Sequence, residues 1–135
     1  MTDGHQHLSH VPDAARPAVY AARAVVRPVP PAHADQLDTA VEVFLTELSS
    51  ALSGAGCTLV GHIKGSLTAR GRGDLAFHAT GLDAPPAITG GFAGKVSEAA
   101  FVVNVIVFGV DEEALPALVR DAWSRASGAE TTWQL

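Results

Sequence analysis

Residues 99–123 read AAFVVNVIVFGVDEEALPALVRDAW. The first half, Ala99–Val110, is built from aromatic and β-branched residues and is apolar at both parities, with Asn104 its single polar interior residue. Such a run reads as a strand in the middle of a sheet, covered on both faces. The second half starts a helix at Asp111 that runs to about Ser127. Its stripe is Leu115, Leu118, Val119, Ala122 and Trp123, at spacings of three and four. Glu112 and Glu113 suit the positive end of that helix. Pro116 fits only if the helix begins late or kinks there.

Working outward, the clearest periodicity lies in Asp35–Ser53. Leu37, Ala40, Val41, Phe44, Leu45, Leu48, Ala51 and Leu52 share one helical stripe. Asp35 or Asp38 can cap its start, and Gly54 and Gly56 suit its stop. Ala18–Val29 reads as a first strand ended by prolines, although the spacing of Arg23 and Arg27 also suits a helix. Cys57–Leu67 and Asp74–Thr80 read as a hairpin around TARGRG. Gly81–Gly94 reads as a loop with a short strand at most, at Ala87–Thr89. Residues 131–135 read as an edge strand or a frayed end. The expected fold is α+β, in the order β-α-β-β-β-α with a possible final β. Its mainly antiparallel sheet has four to five strands, with two helices packed on one face.

The chain has 135 residues, 47 % hydrophobic and 17 % charged, enough for one packed domain. Residues 1–17 read as a flexible histidine-bearing tail and residues 18–135 as a single α+β domain. No stretch approaches a membrane span, and the first ten residues lack the basic and apolar parts of a secretory signal. The expectation is a cytoplasmic protein. A net charge of −5 argues against nucleic-acid binding. The lone Cys57 excludes an intrachain disulfide and multi-cysteine metal sites.

Two histidine groups are candidates for chemistry. His5, His7 and His10 could converge on a divalent metal such as Zn, Ni or Co; the plainer reading is a polar tail. In the hairpin, strand alternation puts His62 and His78 on one face with Lys64, Asp74 and Thr80. If residue numbers across the hairpin sum to about 140, His62 faces His78 directly, which would suit a metal or an anion. The plainer reading is a solvated sheet face. Arg70 and Arg72 could meet a phosphate, or could be a solvated loop tip. Neither a P-loop nor a nucleophile elbow is present. The second apolar face of Phe101–Val110 needs cover, from another subunit or from the chain's own loops.

In AVVRPVPPAHADQLDTAVEVFLTEL (Ala24–Leu48) and FVVNVIVFGVDEEALPALVRDAW (Phe101–Trp123), a strand runs into a helix with an acidic start. This pattern resembles the C-terminal domain of the CobW-type GTPase metallochaperones, over about residues 18–128. The resemblance implies a binding module without the GTPase domain, since the Walker and cysteine-rich motifs of that family are missing here. Two functions follow. One is a stand-alone, non-enzymatic module in metal handling or partner docking. The other is a small oligomeric enzyme or ligand-binding protein with a pocket at a subunit boundary. There His62 and His78 would serve as acid and base, and Lys64 or Asn104 would orient the ligand.

Overall fold

The structure is a computed structural model that describes residues 16–134. Its elements are β1 (Pro17–Arg27), α1 (Ala34–Gly54), β2 (Leu59–Ala69), β3 (Gly73–Ala79), β4 (Ala87–Phe92), β5 (Ala99–Phe108), α2 (Leu115–Ser127) and β6 (Glu130–Gln134). The six strands form one sheet in the order β4-β3-β2-β5-β1-β6, antiparallel at every pairing. Without the β3–β4 hairpin the remaining order is β-α-β-β-α-β, the split βαβ arrangement. The α+β class and the antiparallel sheet are as the sequence implied, with six strands rather than four or five.

The helices pack on one face of the sheet. On β5 that face presents Ala99, Phe101, Val103, Val105 and Val107, all buried. On β1 it presents Ala18, Ala22, Ala24 and Val26. Small residues on β1 leave room for the larger side chains of the helices. An aromatic cluster ties the layers together. Phe101 stacks on Trp123 at 4.2 Å between ring centroids, and Phe44 meets both rings edge-on. Trp123 donates its Nε1–H to Thr131 Oγ1 at 3.1 Å, which satisfies its buried polar atom.

Local chemistry explains the element ends. The α1 stripe is buried as expected, Ala51 only partly. Its cap is His33, not Asp35 or Asp38. The His33 N–H donates to Gln36 Oε1 at 2.7 Å, the reciprocal half of a capping box. The second helix begins late. A 3₁₀ turn over Glu112–Ala114 precedes it, and the Glu113 N–H donates to Asp111 Oδ1 at 3.2 Å. Pro116 thus falls in the first turn, where no N–H is needed. The short strand read at Ala87–Thr89 is the longer β4, whose Gly90 lies at φ 95° against the Asp74 carbonyl, where a Cβ would collide.

Among the described residues no helix is long and apolar enough to cross a membrane.

Candidate functional site

The face of the sheet opposite the helices has no layer of described residues over it. One row of paired residues crosses it: Ala87, His78, Lys64, Asn104 and Ala21, on β4, β3, β2, β5 and β1. Three of the four candidate site residues outside the tail, His78, Lys64 and Asn104, are therefore immediate cross-strand neighbours. His62 lies in the adjacent row, between β3's end and Ile106.

The expected pairing of His62 with His78 is wrong. Lys64 faces His78, a register displaced by two residues. The cause is the turn. Instead of six loop residues, the hairpin closes through Arg70, Gly71 and Arg72, with Ala69 facing Gly73. Gly71 at φ 75° and Gly73 at φ 120° permit this closure. A slip of two keeps every side chain on its expected face and changes its neighbour. His62 and His78 are diagonal, so their Cβ atoms are about 7–8 Å apart rather than about 5 Å. Asp74 shares the face but pairs with Thr68, two rows from Lys64.

A bulge adds a second correction. Between Val60 and His62 the β2–β5 register shifts. Val60 is therefore buried on the helix side with Ile63, although strict alternation puts it beside His62 and Lys64.

Among the described residues no three His, Cys, Asp or Glu side chains gather closely enough to hold a metal ion. His5, His7 and His10 lie outside the described residues. Cys57 is half-buried just before β2, its Sγ 3.5 Å from the Leu59 carbonyl oxygen, an unremarkable small side chain.

The apolar part of the open face follows the two central strands. Phe108, Ile106 and Val102 on β5 lie beside Pro17, Val19 and Arg23 on β1. Leu59 extends this group on β2, opposite Phe108. Val19 is 48 % exposed and Leu59 60 %. Charged and polar residues flank the apolar centre: His62, Lys64, His78 and Asp74 on one side, Gln134 and Glu130 on the other. The Gly81–Gly94 segment does not cover this face, because its strand extends the sheet at the edge.

Concave surface lies elsewhere. A cleft of about 560 Å³ separates α1 from the Gly81–Pro86 loop and is lined by Thr46, Ser49, Ser50 and Ser53. Asn104 borders only a shallow depression of about 350 Å³, with Arg23 and Gln134. Sequence reasoning missed those two residues, because their place beside Asn104 depends on β1 pairing with both β5 and β6. Neither histidine lines these or the other larger hollows of the described chain.

No protein-family model, no curated protein and no solved structure matches this chain.

Proposed function

We propose that the chain is a non-enzymatic binding module that works as a homodimer, with the open sheet face as its docking surface. The observation that carries this is the apolar group at the centre of that face, between polar flanks: Val19 and Leu59 are exposed, and Val102, Ile106 and Phe108 beside them are only partly buried. An apolar centre with a polar rim is the anatomy of a protein interface.

Size supports a second copy as the occupant. Six strands about 4.8 Å apart and between five and eleven residues long present roughly 800 Å², the area each partner contributes to a standard interface. A two-fold dimer also needs no other component, since each copy brings the same apolar patch. The histidines sit on an open face and not in a concavity, which favours docking over pocket chemistry. The pattern resemblance to the CobW-type C-terminal domain points the same way, toward a binding module. Metal handling would have to rest on His5, His7 and His10.

Sedimentation velocity and native mass spectrometry test the reading, with Ile106→Lys and Val19→Glu as variants. The expected result is a wild-type dimer that both substitutions convert to a folded monomer. A wild-type monomer at high concentration, or a dimer indifferent to both charges, overturns it. Adding Zn, Ni or Co in the same experiment reports any bound metal by mass.

A further inference from the structure

At the end of the sheet away from Phe108, the β2–β3 turn meets the β4–β5 connection. A hollow of about 360 Å³ lies between them, lined by Arg70, Arg72 and Lys95. Those are three of the chain's nine Lys and Arg residues. None of the three makes an ion pair among the described residues. The one carboxylate at the hollow, Glu98, is already held by Arg27, Nε to Oε1 at 3.1 Å. Three like charges thus border one concavity with no anion to balance them.

The backbone that carries them is fixed. The Ala93 N–H donates to the Arg72 carbonyl at 2.8 Å. Ala32 and Val96 exchange both backbone hydrogen bonds at 2.8 Å, and Val96 is buried, which anchors Lys95 beside it. The Arg72 guanidinium lies against Gly94, where a Cβ would stand 2.8 Å from Nη1. Glycine at that point makes room for the guanidinium. The floor carries Val25 and Ala100, and Thr68 and Ser97 add hydroxyls. By contrast, α1 bears Asp35, Asp38, Glu42 and Glu47 and has no Lys or Arg.

We propose that this hollow is a binding site for a small polyphosphorylated molecule. Guanidinium groups bind phosphate oxygens in a bidentate fork, and an ammonium adds a compact point charge. Three cations suit a ligand with two or more phosphates. The apolar floor takes an organic body, within the size range of small-molecule sites. The hollow's floor belongs to the same open face, at the end of the strands away from the apolar centre of Val19, Ile106 and Phe108.

The test is a titration of the isotopically labelled protein with pyrophosphate, read by amide NMR shifts at constant ionic strength. Expected are saturable shifts confined to residues 69–73 and 93–98. The double substitution of Arg72→Gln and Lys95→Gln should weaken binding by about tenfold per removed cation, with an unchanged melting temperature. Lys64→Gln, on the open face, should leave binding as it is. Shifts that fail to saturate, or a loss shared equally by Lys64→Gln, overturn the site. So does an oligonucleotide that binds there and that pyrophosphate cannot displace. Repeating the titration on Ile106→Lys separates this site from the dimer: binding that survives in the monomer supports the site as drawn, and binding that vanishes with the dimer overturns it.

Discussion

The same strands present two faces that obey different rules. Toward the helices, β5 places Phe101, Val103, Val105 and Val107, every one fully buried. Toward the open side it places Val102, Asn104, Ile106 and Phe108, every one only partly covered. The helix side is fixed by volume, because close packing punishes both gaps and excess. The open side is apolar along β5 except at Asn104 and carries polar neighbours, a pattern that internal packing does not require. The difference teaches that the double apolar reading of this strand combined two causes, a core on one face and, in the function proposed above, a docking surface on the other.

A matched pair breaks the comparison most sharply. Phe101→Ala and Phe108→Ala remove the same side chain from one strand on opposite faces. Phe101→Ala should cost about 3–5 kcal/mol, since Phe101 loses its stack on Trp123 and leaves a cavity. Phe108→Ala should cost the folded monomer less than about 1.5 kcal/mol, since little cavity forms at a half-exposed site. Denaturant unfolding at low protein concentration reads both. Equal losses would mean that the open face is packed as tightly as the core.

Gly65→Ala should come next, at about 1–3 kcal/mol. A Cβ at Gly65 would collide with the Val102 carbonyl and stand 2.6 Å from Cζ of Phe77. The glycine is what lets β2 approach β5 beneath that ring. Unfolding midpoints of Gly65→Ala and Gly91→Ala provide the check, since a Cβ at Gly91 meets nothing within 4 Å.

Both helices and the helix-facing stripe were legible in the sequence, because spacings of three and four are a local signal. Leu37 through Leu52 and Leu115 through Trp123 needed no knowledge of partners. The shared face of His62, Lys64 and His78 was legible for the same reason, since alternation is local too. Register was not. It depends on how many residues the turn consumes, and TARGRG hides a three-residue closure that its two positive-φ glycines allow. The bulge at Gly61 is invisible for a related reason: it exists only against β5. Only the first half of β4, Ala87–Thr89, was legible, because Gly90 and Gly91 read as loop, whereas close backbone approach demands Gly90. Lys95 joins Arg70 and Arg72 only after β4 turns the chain back, so no sequence spacing announces the three.

Ile106→Lys sharpens the comparison by separating fold from association. One residue away, Val105 faces the core, whereas Ile106 pairs with Val19 and His62 on the open face. A lysine at position 106 can keep its stem on the sheet and its ammonium in water. The expected cost to the monomer is under about 1 kcal/mol, while the dimer should be lost. Circular dichroism melts beside sedimentation data check the two halves separately.

The smallest effect concerns two ion pairs, one on each side. Arg125 Nε lies 2.7 Å from Glu47 Oε1 and joins the two helices. Arg27 Nε lies 3.1 Å from Glu98 Oε1 on the open side. Both pairs are substantially exposed, so double-mutant cycles should give each about 0.2–1 kcal/mol, fading with salt. Their response to protein concentration should differ. The Arg125–Glu47 coupling belongs to the monomer and should be constant. Arg27 stands on the face proposed to dock, so a second copy that removes water from it should strengthen its coupling to Glu98 as concentration rises. A coupling that stays the same across the range in which sedimentation detects dimer would place Arg27 outside the contact. The interface would then be confined to the end of the sheet that carries Val19, Ile106 and Phe108.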